Sequence, residues 1–537
     1  MTFVATVVWL AFAQAAPAAP PEDPKINEIV VRGAEHFSAE QVQKIIRLKP
    51  GDRLHRDAAA VAEALATRYR IAGYPAARVT GSFEPGTGVL TLQVDEGRIA
   101  DVIVEGLGSA AGERARREVG LAPGDVLEEK SIREGLERLE RSSAGAVRAG
   151  DPAYSVEPTA QGTRLVLKME SPRFRWGIRP GGPGLAPVFN RVDGFAPWLG
   201  VGATVYDPVS FHNLGLYAAG TYGFSSHDPR YVLGGYRPLG GGVTAGYEFH
   251  DLTDSDDVFR ARGLEQPDTV VIVFNTTQDH YRRHGHEAYV FKDLSARAQA
   301  GVTFRADRFE SLPITNDGHL FSSEAPRPNP AIDEGSLRSV IFTLRWVAHG
   351  QLFDGERSER YARLLRNPYA TPFDTLQGWR AETTVETAGL GGDRSFTRGI
   401  GHLRHYRSLT ARQSLYLRGL LGASSGELPG QRRFFLGGMG TLRGYDLKEF
   451  SGTQMALVTA EWVYYPRSPL PRFILFYDGG SAWGGRLAAR SGWKDDVGVG
   501  VDWPGSGPYL RLDVAFPFEP TAGARHVHVN GRIRLPF

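Results

Sequence analysis

Residues 526–537 (HVHVNGRIRLPF) alternate in polarity. Val527, Val529, Gly531, Ile533, Leu535 and Phe537 fall on one face, and His526, His528, Asn530, Arg532, Arg534 and Pro536 on the other. Successive side chains of a strand point to opposite faces, so this segment presents one apolar and one polar surface. Residues 497–503 repeat the pattern, with Val497, Val499, Val501 and Trp503 opposite Gly498, Gly500 and Asp502. From about residue 173 such short segments take over, punctuated by Gly, Pro, Asn and Asp clusters. They are 197–206, 214–222, 243–250, 269–274, 298–305, 337–347, 379–387, 400–405, 414–421, 456–465, 472–478, 497–503, 509–518 and 526–537, with a first strand around 174–178. Counting a few ambiguous segments, this predicts roughly sixteen strands, and closed bacterial barrels favour even numbers. The pattern predicts a transmembrane antiparallel β-barrel over 172–537, apolar toward lipid and polar toward a wet lumen. A soluble β-sandwich would have to cover every apolar face with a second sheet.

The preceding residues carry a mixed pattern used twice. Residues 25–33 (KINEIVVRG) alternate, and Ser38 opens a helix with Glu40 in its first turn and Val42, Ile45 and Ile46 on one face. A longer helix spans 57–72, with Val61, Leu65 and Tyr69 at four-residue spacing, and Gly73-Tyr74-Pro75 stops it. Residues 77–83 and 89–94 then form a hairpin around 84–88. The order recurs over 99–171, with strands at 100–106, 154–157 and 164–169 and helices at 113–119 and 131–139. This β-α-α-β-β unit, at 25–98 and again at 99–171, resembles the POTRA domain, as do the phrases IVVRGAEHFSAEQV, AGYPAARV and VDEGRIADVIVEG. The resemblance implies an exposed sheet edge on each unit, which an extended peptide can join by strand addition.

The start of the chain adds an expectation about destination. Residues 1–16 hold a short apolar core, and Ala13-Gln14-Ala15 fits the small-x-small cleavage rule, so they read as a secretory signal peptide. A Pro/Ala-rich linker, 17–24, follows. Beyond it no run of eighteen apolar residues occurs, which excludes spanning helices. The net charge of +2 argues against a nucleic-acid partner held by phosphate attraction. With no Cys, neither a disulfide framework nor a thiolate metal site can form.

Candidate chemistry is sparse. Residues 422–426 (GASSG) spell G-x-S-x-G, but a nucleophile elbow needs a helix straight after the Ser and Glu427-Leu428-Pro429-Gly430 follows, so the segment reads as a loop. His280, His284, His286 and Glu287 offer metal-type ligands, yet DHYRRHGHE lacks helical spacing and reads as a solvated polar loop or strand end. There is no Walker motif and no dinucleotide fingerprint. Neither an enzyme nor a bound cofactor is expected.

The most distinctive stretch is 433–446, RFFLGGMGTLRGYD. Gly437, Gly438 and Gly440 permit backbone angles closed to other residues, so LGGMGT is a shaped loop, and Arg443-Gly444-Tyr445 follows directly. About thirty residues later comes F-x-D-x-G: Phe476, Asp478 and Gly480. Strand parity puts Phe473, Leu475 and Tyr477 on one face of 472–478 and Ile474, Phe476 and Asp478 on the other. In this order the two motifs resemble those of the outer-membrane protein-assembly superfamily of BamA, TamA and the two-partner-secretion transporters. The resemblance implies a loop whose Arg443 meets Asp478 of the inner wall, with Phe476 beside them, as an architectural lock. It further implies an alternating last strand with Ile533, Leu535 and terminal Phe537 as an assembly signal, and a weak seam between first and last strands. The implied location is the outer membrane, with POTRA domains in the periplasm. Implied partners are unfolded or exported polypeptide clients, accessory lipoproteins or periplasmic proteins, and outer-membrane lipid. Insertion, assembly or translocation of other proteins is the implied function. The alternatives are a two-partner-secretion transporter, which two POTRA units favour and the short spacer before Lys25 disfavours, and a passive pore or lipid-handling barrel.

Overall fold

The computed structural model describes residues 23–180, 189–255, 279–315, 328–348, 378–466, 470–484, 492–503, 509–521 and 525–534. The chain divides into two compact units, the first running to Pro172 and including Pro208–Phe211, the second comprising Arg173–Asp207 and the chain from His212 on.

Local signals account for the first unit. Ser38 caps α1 (Ala39–Ile46) through a reciprocal pair, its hydroxyl accepting from the Gln41 amide and the Gln41 side chain accepting from the Ser38 amide. Asp57 caps α2 (Ala58–Ile71) by accepting from the Ala60 amide at 2.7 Å. β1 (Glu28–Arg32) runs parallel to β3 (Val89–Asp95), with β2 (Arg78–Glu84) antiparallel at the edge. The apolar stripes of the helices pack on this sheet, burying Val42, Leu65, Tyr69, Leu90 and Leu92. The plan repeats with β4 (Ile99–Glu105), α3 (Ser109–Val119), α4 (Glu129–Ser143), β5 (Arg148–Thr159) and β6 (Gly162–Glu170) in the order β4-β6-β5. Here β5 outruns the predicted 154–157, and its register with β6 shifts between Ala149 and Tyr154.

Among the described residues, the second unit is built on one antiparallel sheet of sixteen strands, curled into a barrel. In order they are β7 (Phe174–Pro180), β10 (Leu199–Val205), β11 (Leu214–Tyr222), β12 (Pro229–Gly240), β13 (Val243–Asp254), β14 (Tyr281–Ser295), β15 (Ala298–Ser311) and β16 (Gly335–Val347). They continue with β17 (Gly378–Ala388), β18 (Phe396–Thr410), β19 (Gln413–Gly426), β22 (Gln454–Tyr464), β23 (Arg472–Trp483), β24 (Lys494–Trp503), β25 (Tyr509–Pro517) and β26 (His528–Arg534). Two small ladders sit outside this sheet: β8 (Phe189–Asn190) with β9 (Gly194–Phe195), and β20 (Phe434–Leu436) with β21 (Phe450–Gly452). Among the described residues no helix is long and apolar enough to cross a membrane.

Parity sorts the wall. Phe473, Leu475, Val499 and Val529 are exposed on the outside, while Ile474, Phe476, Asp478 and Asp502 are buried inside. The inner face differs from a wet lumen: Asp478, Asp496, Arg511 and Asp513 are each at most 1% exposed. Two strands depart from the sequence pattern. β12 was hidden by its Gly and Pro residues. The DHYRRHGHE segment, expected as a polar loop or strand end, is the latter, largely the start of β14. Arg283 and Glu287 face inward, Arg283 to Asp254 at 2.6 Å and to Asp307 at 2.9 Å, while Arg282 on the opposite face pairs with Asp251, so the polarity reflects cross-strand pairing and not a loop. Residues 422–426 are also not a loop but the end of β19. The strand expected at 269–274 and the leader at 1–16 lie outside the described residues.

Leu65 has no exposed surface and sits at the centre of the first unit's core. Leu65→Ala is expected to lower that unit's stability by about 2–5 kcal/mol, read as a lower urea midpoint by circular dichroism. An unchanged midpoint would show that the core lies elsewhere.

Candidate functional site

The site is assembled where the loop between β19 and β22 turns back into the barrel. β20 and β21 pair Phe434 with Gly452 and Leu436 with Phe450, closing the base of the loop. Gly437, Gly438 and Gly440 have φ of +109°, +77° and +84°, a region that L side chains rarely adopt, and this coils the segment between them. The Thr441 hydroxyl accepts from the Gly437 amide at 3.0 Å, and the Gly438 amide donates to the Tyr445 carbonyl at 2.9 Å. Leu436, Leu442, Tyr445 and Phe450 of the loop form one apolar cluster with Leu420, Met455 and Leu457 of the wall. This packing excludes water from the loop tip.

Arg443 stands at that tip, 3% exposed. Its Nε and Nη2 donate to the two oxygens of Asp478 at 2.6 and 2.9 Å, a bidentate pair that only a planar guanidinium can make. Nη1 donates to Glu461 Oε1 at 2.6 Å and, at 3.5 Å, to Asp513 Oδ2. The guanidinium carbon lies 3.5 Å from the centre of the Phe476 ring, stacking the cation on an aromatic face. Arg511 extends the network, donating to both oxygens of Glu461 and both of Asp513 at 2.7–3.3 Å. Burial works against the charge on Arg443, but Asp478 and Glu461 outweigh it and hold its pKa above the usual value.

The neighbouring residues are as constrained. The Gly444 amide donates to Asp496 Oδ2 at 2.9 Å. A Cβ at Gly444 would lie 2.6 Å from that of Asp496, so only glycine lets the loop approach the wall this closely. The Tyr445 hydroxyl donates to the carbonyls of Asp495 and Glu519 at 3.2 and 3.3 Å. Burial and the Asp496 carboxylate push that phenol up to about 12, so it remains a donor at neutral pH. Gly480 lies on β23 against the loop's Leu436.

The structure therefore brings Arg443, Gly444, Tyr445, Phe476, Asp478 and Gly480 into one region. Ile533 lies in β26 opposite Leu510, while Leu535 and Phe537 fall outside the described residues. Glu461, Asp496, Arg511, Asp513 and Asn530 belong to the site without having been singled out. Their signal was a polar residue at an inward-facing position of an otherwise apolar strand, as in LRLDVAF. The alternative chemistry disperses: the Ser424 hydroxyl donates to the Thr453 carbonyl at 2.8 Å. His286 stacks on outward-facing Tyr247, whereas Glu287 on the opposite face accepts from Arg305. Among the described residues no cluster has the makings of a metal site.

A sixteen-stranded barrel with a returning inner loop, preceded by β-α-α-β-β units, defines a class of barrel membrane protein. The Omp85 superfamily domain matches residues 235–533 and the POTRA model, a surface antigen variable number repeat, matches residues 24–97. The chain belongs to the Omp85 superfamily. It is an outer-membrane β-barrel protein with periplasmic POTRA domains. It is 23% identical over 441 residues to the outer membrane protein assembly factor BamA of Nitratidesulfovibrio vulgaris, covering 78% of this chain and 48% of BamA. The chain thus spans about half the length of that relative. The crystal structure of BamA from Haemophilus ducreyi lacking POTRA domains 1–3 aligns with a TM-score of 0.54 at 14% identity, covering 96% of this chain and 100% of that one. That likeness is one of fold.

Arg443→Ala strands the buried Asp478 and is expected to cost about 3–5 kcal/mol, read as loss of the SDS-resistant folded barrel at a lower temperature. Arg443→Lys should recover only part of it, because an ammonium cannot bridge both Asp478 oxygens while reaching Glu461. Wild-type resistance in Arg443→Ala would refute a structural role for the pair.

Proposed function

We propose that this chain assists the insertion, assembly or translocation of other polypeptides at the outer membrane, with Arg443 and Asp478 fixing the inner loop while it does so. The observation that carries the reading is the uneven height of the barrel wall. Strands β10 and β11, next to β7, span 7 and 9 residues, whereas β18 and β19 span 15 and 14. At roughly 3.3 Å per residue, and tilted by about 40°, a 7-residue strand covers about 18 Å of a hydrocarbon core near 30 Å thick. A bilayer meeting so short a wall thins to match it, which lowers the barrier to moving polar backbone across. Among the described residues, β7 pairs with β10 alone and β26 with β25 alone, in keeping with a seam at this thin side. The work assigned to the protein is physical, with no bond made or broken.

The POTRA units supply a means of capture. In the first, the Gly81 position on edge strand β2 lies against Ala58 and Ala62 of α2, so helix and edge are in close contact. In the second, a groove of about 260 Å³ lies between α4 and edge strand β5. Its walls are Ile132, Leu136, Val147 and Tyr154, and Glu129 and Glu137 flank it. An extended client can add to the β5 edge and place an apolar side chain in this groove.

Depletion followed by quantitative proteomics of outer membrane and medium tests the function. Broad loss of barrel proteins is expected. Loss of one secreted protein alone would instead identify a two-partner-secretion transporter, and no change in either fraction would leave a passive barrel. A photo-crosslinking side chain at Leu136 should capture unfolded barrel polypeptides far more than one at Gly86, in the β2–β3 turn; equal capture at both would remove the groove from the reading.

A further inference from the structure

We infer that the inner loop is a crossbar, latched through Asn530 to the last strand and through Lys448 and Asp279 to Arg191 beyond the first strand, so that the two edges of the seam move with the loop. The inference rests on the seam reading above and adds positioning residues outside both motifs.

The latch to the last strand uses the same residue as the lock. Asn530 of β26 points inward, and its Nδ2 donates to the backbone carbonyl of Arg443 at 3.0 Å. Two positions earlier on the same face, His528 Nδ1 lies 3.8 Å from Asp446 Oδ1 of the loop. Since the Arg443 side chain is held by Asp478 of β23, its carbonyl is a fixed acceptor. The last strand is therefore tied to the loop as well as to β25. With Glu461, Asp478, Asp496 and Asp513, each of the five strands β22–β26 presents one polar side chain to Arg443 or Gly444.

The other latch reaches the β8–β9 turn, in the connection between the edge strand β7 and its neighbour β10. Lys448 has φ of +58°, a left-handed conformation uncommon for a residue other than glycine, and its amide donates to the Gly437 carbonyl. That conformation carries its ammonium to Asp279 Oδ2 at 2.5 Å. The other Asp279 oxygen accepts from Arg191 Nη2 at 3.1 Å, and the same nitrogen reaches Asn329 Oδ1 at 3.2 Å. Asn329 in turn pairs with both the amide and the carbonyl of His280, at 2.8 and 2.7 Å. Arg191 lies in the turn between β8 and β9, which joins β7 to β10, and its carbonyl accepts from the Thr315 amide at 3.1 Å. Lys448, Asp279 and Arg191 are largely shielded, with side-chain exposures of 10, 16 and 5%, so their pairing is screened far less than at an open surface. Neither latch is among the side-chain bonds that join Arg443 to Asp478. Both place the loop in series with the seam.

Hydrogen exchange of the full-length protein in phospholipid nanodiscs tests this without any client, so its failure would leave the proposed function to the depletion experiment. In Asn530→Ala, amides of 528–534 and of 443–449 should exchange about five- to tenfold faster, with β18 unchanged. Val529→Ala, which trims an outward side chain of the same strand, should leave 443–449 at the wild-type rate. Lys448→Ala should accelerate 189–195 together with 443–449. If Asn530→Ala frays only its own strand, or matches Val529→Ala, the latch to β26 is wrong. Retention of the heat-modifiable gel shift shows that each variant folds. Should Asn530→Ala fail to fold, Lys448→Ala decides, and wild-type exchange at 189–195 in that variant would overturn the crossbar.

Discussion

A charge taken out of water must find its opposite within the protein, and the interior of this barrel is organised by that requirement. The wall between β22 and β25 turns Glu461, Asp478 and Asp513 inward and supplies the cation Arg511 among them, while a fourth inward acid, Asp496, accepts from the Gly444 amide. The inner loop brings Arg443 as a second cation. Loop and wall thus specify one another: the glycines let the loop enter, the apolar cluster dries it, and dryness makes the geometry of the pair matter. A lysine would carry the charge but not the fork. Gly444, pressed against Asp496, leaves no room for a side chain.

The outer face answers to the opposite constraint. Residues such as Trp176, Leu475 and Val529 are more than half exposed, an arrangement suited to hydrocarbon. Because the strands differ about twofold in length around the ring, that apolar band is not of constant height. The short strands stand next to β7, and the inner loop bonds to side chains of β22–β26 and, through Asp279, to Arg191 between β7 and β10. The proposed coupling of loop to seam and the proposed thinning of the bilayer therefore concern the same part of the molecule.

Much of this was legible in the residue order. Helix caps at Ser38 and Asp57, four-residue spacing in α2 and two-residue alternation in the strands are local properties, and each predicted an element close to the one found. Where local pattern failed, the cause was a distant partner. The start of β14 reads as a polar loop or strand end because Arg283 and Glu287 are there for Asp307 and Arg305 on the next strand, which a local window does not contain. β12 is broken by Gly and Pro that its neighbours tolerate.

The sequence by itself determined the parity of each clear strand, hence that Phe476 and Asp478 share a face, and it marked 437–444 as a loop of unusual backbone with an arginine at its tip. Only the tertiary structure decided which carboxylates that arginine meets. Glu461, Asp478 and Asp513 lie 18, 35 and 70 residues from Arg443, and Asn530 lies 87 away. Their convergence depends on strand order and stagger around the barrel, and on the packing that keeps water from the loop. Both are properties of the curled wall, set by all of its strands together, and no single strand carries them.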